Sequence, residues 1–281
     1  MTILLNFLLM RRTAEKIIHE GVVIYGPDRE EHASAIHLLL NDSLPPGWEW
    51  VHSSANSIVA RRLRPSTVYY KEFLSRSSCE RMKGLLRGSR SQRAVVRGEM
   101  LKQRGFHTPA ILCWGEKGHR NFMITEGLSA VSLSSYMEEN WIPTLSGTEL
   151  LTKKDIIEKL GKEVGKLHKA GICHGDLRLS NILVKERGQD IVFYFIDNER
   201  TLLFKKIPRK LIVKNLVQLN MIFLPGVSRQ DRLRFFAAYN EMYDRFTAGK
   251  KMTLMVEVQK RTTERLARKF FKDSRQGQGK A

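Results

Sequence analysis

Apolar positions recur along this chain with two different periods, and the change from one to the other divides it. Between residues 48 and 127 the period of two dominates. Trp48-Glu49-Trp50-Val51 and Ile58-Val59-Ala60-Arg61-Arg62-Leu63 read as the arms of a hairpin, and Thr67-Val68-Tyr69-Tyr70-Lys71-Glu72-Phe73 as the next strand. In that strand Tyr69, Lys71 and Phe73 share one face and Val68 and Tyr70 the other. Residues 121–128 read as a further strand running into a turn, and residues 91–103, with Ala94, Val95, Met100 and Leu101, as a helix. From residue 128 onward the helical period takes over. Ile156, Ile157, Leu160, Val164 and Leu167 fall on one helix face behind a capping box at Thr152-Lys153-Lys154-Asp155, and His168 near its end reads as a surface imidazole. Further helices are predicted over residues 211–223, 229–246 and 252–271. Residues 1–47 mix short strand-like and helix-like patterns and close on Leu44-Pro45-Pro46-Gly47, so they are expected to form an N-terminal extension. The pattern predicts an α+β chain, mostly β over 48–127 and mostly helical over 128–281 with a basic tail, and its length fits either one large domain or two lobes.

Polar residues concentrate where this pattern breaks. His174-Gly175-Asp176-Leu177-Arg178-Leu179-Ser180-Asn181 leads into a strand at 182–184, and after the turn-like Glu186-Arg187-Gly188-Gln189-Asp190 a second strand at 191–196 ends in Asp197. A hairpin brings its two ends together, which would place Asn181 and Asp197 side by side. An acid, an amide and a second acid in that order suit phosphoryl transfer, where the protein positions a nucleophile and neutralises charge through metal ions. Asp176 is the candidate base, and Asn181 and Asp197 are the candidate ligands for Mg2+.

A phosphoryl donor such as ATP also needs a cation on its α/β phosphates and a helix acid to hold that cation. Lys71 is the candidate phosphate lysine, and Glu99, alone among carboxylates in the predicted helix, is the candidate acid. The hairpin loop before Lys71 would cover the phosphates. It contains no glycine, so Ser53, Ser54 and Ala55 would have to give the close backbone approach. Glu126 and Leu128 are the candidate hinge residues beside the adenine edge.

Charge adds a partner to this picture. The net charge is +19, with basic residues spread through Arg81 to Arg97, Lys205 to Lys214 and the tail from Lys260 to Lys280. Such an excess draws anionic ligands. Nucleic acid is disfavoured because the cations gather on no nucleic-acid module, whereas phosphorylated glycolipid and an anionic membrane surface fit the spread. Cys79, Cys113 and Cys173 are odd in number and widely spaced, as expected for free thiols in a reducing compartment. The apolar start ends at Arg11-Arg12, too short to span a bilayer and without the basic stretch that opens a secretory signal.

Together, Val68-Tyr69-Tyr70-Lys71, Gly84 to Arg90 leading into Glu99, Gly105-Phe106-His107-Thr108-Pro109, Thr125-Glu126, the loop from His174 to Asn181, Ile196-Asp197-Asn198-Glu199-Arg200, and Ser228 to Phe235 with Tyr239 resemble the Kdo/WaaP lipopolysaccharide kinase family of the protein-kinase-like superfamily. The resemblance runs from about Trp48 to Tyr239. It implies a bilobal protein-kinase-like fold, ATP and Mg2+ as cofactors, a sugar hydroxyl of the lipopolysaccharide inner core (Kdo or heptose) as acceptor, and a cytoplasmic protein peripheral on the inner membrane. Gly175 stands where eukaryotic-type protein kinases place Arg, and Asn198-Glu199 replaces Phe-Gly, which implies no activation-loop switch. Asn215-Leu216 stands where similar proteins often carry Asp-Leu, so an amide would brace the catalytic loop. A small-molecule kinase of the aminoglycoside or choline type, or a catalytically silent kinase-fold binding protein, are the alternative readings.

Overall fold

A computed structural model describes residues 14–53, 55–74, 88–188, 190–222 and 224–278, with side chains as far as residue 269. The chain divides into two units. One holds the described residues up to Ser129 together with Asp197–Glu199, and the other holds Ala130–Ile196 with the residues from Arg200 onward.

The first unit comprises β1 (Lys16–His19), β2 (Val22–Tyr25), α1 (Arg29–Leu40), β3 (Trp48–Val51), β4 (Ser57–Arg62), β5 (Val68–Phe73), α2 (Arg90–Gln103), β6 (Ile111–Lys117) and β7 (Arg120–Glu126). Its strands form one antiparallel seven-stranded sheet in the order β1-β2-β6-β7-β5-β4-β3. Successive side chains point to opposite faces, so each face needs its own cover. On one face Ile36, Leu39 and Leu40 of α1 pack against Ile24, Tyr70, Phe122 and Ile124. On the other, Val95 of α2 packs against Tyr25 and Trp114, whose rings stack with centroids 4.4 Å apart. Residues 16–40 add two strands at one end of this sheet and the helix that covers one of its faces. Arg120 fastens that helix to the sheet, donating to both oxygens of the buried Glu72 at 2.6 and 2.7 Å and to the carbonyl of Leu40 at the end of α1.

The second unit contains β8 (Val131–Ser132), α3 (Leu133–Asn140), α4 (Gly147–Lys169), β9 (Ile172–Cys173), β10 (Ile182–Arg187), β11 (Asp190–Phe195), β12 (Leu202–Leu203), α5 (Arg209–Asn220), α6 (Arg229–Met242) and α7 (Ala248–Gln278). The hairpin β10-β11 takes β8 on its free edge, and β9 pairs with β12. Helix α4 starts five residues before the predicted capping box, with Ser146 at its N-cap, and the Thr152 hydroxyl donates to the Thr148 carbonyl inside the helix. Glycines at 161 and 165 let α4 lie against the backbone of α6, because a Cβ at either would overlap atoms of Phe235, Ala238, Tyr239 or Met242. The same interface buries Lys153, which donates to Asp231 at 2.6 Å and to the Gly226 carbonyl at 2.5 Å. Burial lifts the Asp231 carboxyl, but Lys153 and the Ser228 donors outweigh it and hold it below the ordinary carboxylate value. Among the described residues no helix is long and apolar enough to cross a membrane.

Candidate active site

The loop between β9 and β10 carries Asp176. Gly175 is required there by space: a side chain would collide with the backbone and Cβ of Arg200, which explains why no Arg occupies this position. His174, fully buried, fixes the loop through both ring nitrogens. Nδ1 accepts the Asp176 backbone N–H at 3.2 Å, so the ring proton lies on Nε2, which donates to the Ile196 carbonyl at 3.1 Å. Asn181 donates through Nδ2 to the Asp176 carbonyl at 2.9 Å, and its own carbonyl accepts the N–H of Ile196 at 3.0 Å. The amide is thus held by its nitrogen, and Oδ1 has no hydrogen-bond partner among the described residues. By donor type alone, an amide oxygen such as this one and a carboxylate are hard oxygen ligands of the kind magnesium accepts.

Asp176 itself is held at both oxygens. Gln218 of α5 donates through Nε2 to Oδ1 at 2.9 Å, and Arg178 donates through Nη2 to Oδ2 at 2.6 Å. Behind Gln218 lies Asn215, also on α5, which is fully buried and donates to the His174 carbonyl at 2.5 Å and to Gln218 Oε1 at 3.2 Å. Its oxygen accepts from His168 Nε2 at 3.2 Å and from the Cys173 thiol at 3.4 Å. His168 is therefore buried and not a surface imidazole, and burial lowers its pKa to about 4. Cys113 and Cys173 are free and buried, and burial pushes the Cys173 thiol up to about 11.

In the first unit Lys71 on β5 forms an ion pair with Asp197, whose backbone turns with φ +60° two residues past the end of β11. Aspartate tolerates this left-handed conformation better than most residues, and it re-aims the side chain at the end of the strand. Two residues on, Glu199 receives Nε and Nη2 of Arg90, each at 2.9 Å, while Arg90 Nη1 donates to the Asn56 and Leu74 carbonyls. The first turn of α2 is thereby tied to the segment carrying Asp197.

Glu99 is a correction. Its half-exposed carboxylate pairs with Lys102 at 3.1 Å, one turn along α2, and among the described residues the carboxylate partner of Lys71 is Asp197. The physical reason is that Glu99 and Lys102 lie at i and i+3 on the partly solvated side of the helix, within reach of each other. Glu72 belongs to Arg120. In the loop between β3 and β4, the Ser53 hydroxyl donates to the Ser57 carbonyl at 2.7 Å and Ala55 is exposed in a turn, while Ser54 lies outside the described residues. Glu126 ties the end of β7 to Ala110, accepting its N–H at 2.7 Å through Oε1 and donating its own N–H to the Ala110 carbonyl at 2.9 Å; Leu128 follows, half-buried. Of the basic clusters, Arg90 is spent on Glu199, Arg97 is buried and Arg209 pairs with Glu257, so these are not open cationic surface. Cys79, the apolar start, the stretch 81–87 and the side chains of the tail beyond 269 lie outside the described residues. The sequence motifs contain Arg178, Arg90 and Glu199 but assign them, like Gln218, no role. Only Gln218 left a signal, sitting one helical turn after Asn215.

The model of the lipopolysaccharide kinase (Kdo/WaaP) family matches residues 69–239. The lipopolysaccharide core heptose(I) kinase WaaP of Pseudomonas aeruginosa is 25% identical over 162 residues, covering 54% of this chain and 59% of that protein. The EKC/KEOPS complex subunit bud32 of Aspergillus clavatus is 28% identical over 158 residues, covering 50% of this chain and 54% of that one. The chain thus spans little more than half the length of these curated relatives. A solved structure of WaaP in complex with acyl carrier protein superposes with a TM-score of 0.58 at 17% identity, over 89% of this chain and 98% of that chain, and establishes a shared protein-kinase-like fold. With the family match running from Tyr69 to Tyr239, and so taking in Lys71, Asp176, Asn181 and Asp197, the chain belongs to the lipopolysaccharide kinase (Kdo/WaaP) family.

Proposed function

We propose that this chain is an ATP- and Mg2+-dependent kinase that phosphorylates a hydroxyl on a lipopolysaccharide inner-core sugar, Kdo or heptose, at the cytoplasmic face of an anionic inner membrane. The observation that carries the reading is the family match over residues 69–239, within which Lys71 pairs with Asp197 and Asp176 is held at both carboxylate oxygens. ATP and magnesium, when bound, supply the phosphoryl group and neutralise its charge. Lys71 would engage the α/β phosphates, Asn181 and Asp197 would hold the ion, and Asp176 would orient the acceptor hydroxyl and take its proton. Ser53, Ser54 and Ala55 would cover the phosphates, with Glu126 and Leu128 beside the adenine. A lipid-linked acceptor is further supported by a largely apolar cavity of about 700 Å³ in the helical unit, whose lining includes Leu179 beside Arg229, Lys260 and the acid Asp231.

The test is transfer of label from γ-labelled ATP to Kdo-bearing lipid A acceptors by the wild type and by Asp176→Ala. Transfer by the wild type alone is expected. Equal transfer by both would remove Asp176 from the role of base. Turnover of an aminoglycoside or amino alcohol in place of the glycolipid would favour a small-molecule kinase, and no ATP-dependent rise in melting temperature would favour a silent binding protein.

A further inference from the structure

Four buried side chains of the helical unit stand in line behind Asp176, and every hydrogen bond in the line points toward it. The directions follow from groups that have no choice. The His174 carbonyl can only accept, so the group of Asn215 facing it is the amide nitrogen and Oδ1 faces His168. His168 must then donate from Nε2, and a neutral imidazole carries one proton, so Nδ1 accepts from the Tyr239 hydroxyl at 2.9 Å. Burial keeps that ring neutral, since its pKa lies near 4. Asn215 passes its second N–H to Gln218 Oε1, which also accepts the Leu177 N–H at 3.3 Å. With its oxygen doubly occupied, Gln218 presents Nε2 to Asp176 Oδ1 at 2.9 Å. Tyr239, His168 and Asn215 are fully buried and Gln218 is 6% exposed. In such low-dielectric surroundings aligned hydrogen bonds polarise one another, and the line ends on an anion.

We infer that Gln218 is a positioning residue for Asp176, which fixes Oδ1 from the protein interior and leaves Oδ2 as the oxygen that meets the acceptor hydroxyl. The inference rests on Asp176 acting as the base of the transfer proposed above. Oδ2 is held by Arg178, a side chain 55% exposed and able to swing away when an acceptor arrives. Gln218 has no such freedom, because withdrawing it would strand the Leu177 N–H and the Asn215 amide together. The arrangement also accounts for the amide at position 215. An acid there would meet the His174 carbonyl and Gln218 Oε1 without a proton to offer either.

Gln218→Glu isolates the donated bond, because it keeps the length of the side chain and an oxygen for both accepted bonds but offers no N–H to Asp176. Gln218→Met keeps the length and offers neither. Steady-state kinetics would use whichever acceptor the wild type turns over, or water in ATP hydrolysis. If Gln218 positions the base, both variants keep the KM for ATP while kcat falls roughly ten- to hundredfold, the range for a lost hydrogen bond to a charged group. A Gln218→Glu enzyme with the wild-type kcat overturns the inference, since a purely structural bridge between Leu177 and Asn215 would survive that change. The contact has a second readout that needs neither turnover nor a folded Gln218 variant. In NMR spectra of the unliganded protein, the Gln218 side-chain amide should move between wild type and Asp176→Ala, and an unmoved amide overturns the inference. An inert wild type whose Gln218 amide moves would count against the proposed function and for the positioning contact.

Discussion

Asn215→Asp is the substitution for which superfamily likeness and local geometry predict opposite results. Likeness suggests that an acid there restores a missing brace, so the variant should be at least as stable and as active. The geometry predicts harm. Asn215 is fully buried, and its nitrogen faces two oxygens, the His174 carbonyl at 2.5 Å and Gln218 Oε1 at 3.2 Å. Replacing that nitrogen with oxygen removes both donors, and leaving a buried acceptor unpaired costs about 1–3 kcal/mol. The ionised carboxylate adds a desolvation penalty of several kcal/mol, reduced if His168 takes a proton and pairs with it. A net loss of about 3 kcal/mol at pH 7.5 follows, a large share of the roughly 5–15 kcal/mol that hold a domain together. Urea unfolding followed by tryptophan fluorescence would measure it as a lower midpoint at unchanged slope. Burial places the folded-state pKa of the new carboxyl above its unfolded value. The deficit should therefore be full at neutral pH and shrink as the pH falls toward about 4, where the protonated carboxyl regains a donor. A loss below about 1 kcal/mol at pH 7.5, or a deficit that grows on acidification, would refute the assignment of donors and acceptors around this residue.

Other consequences can be measured with the same unfolding assay. Lys153→Met strands the Asp231 carboxylate inside the α4–α6 interface and should cost about 3–5 kcal/mol, whereas a cost near zero would mean that the pair is solvated. Gly165→Val drives a branched side chain into the backbone of Tyr239 and should cost at least about 2 kcal/mol; a change within about 0.5 kcal/mol would refute the close helix contact. The unfolded chain protonates His168 near its ordinary value of 6.5, and the folded chain only near 4. Stability from this group is therefore complete above that ordinary value and is lost as the pH falls toward the lower one, by about 3 kcal/mol. His168→Gln should lack that part of the acid dependence, and parallel stability curves for the two proteins would contradict it.

The hairpin β10-β11 was legible before any coordinates. Its pairing runs from Arg187 opposite Asp190 at the turn to Ile182 opposite Phe195 at the open end, as a period of two with a single turn requires. The strand that carries Lys71 was legible for the same reason, from its clear alternation. Glu99 reads in the sequence as the partner of a lysine on a distant strand, whereas its carboxylate pairs with Lys102 one turn along the helix and Lys71 pairs with Asp197. The N-terminal strands are four residues each, too short to display a period, and their sheet partner β6 lies far along the sequence. His168 looked like a surface residue because a helix end usually reaches water, yet Tyr239, 71 residues later, closes over it.

These cases differ in what sets the outcome. Residue type and spacing mark the proposed base and ligands, two acids and an amide at the ends of short strands. The groups that hold them in place answer to the polarity of their partners, which spacing does not record. At Asn215 the deciding partner is a carbonyl contributed by the loop, 41 residues away, and a carbonyl demands a donor. An amide at that position is then what the loop conformation requires. By the same argument, the amide one turn later on α5 can donate to Asp176 because Asn215 and the Leu177 N–H already occupy its oxygen.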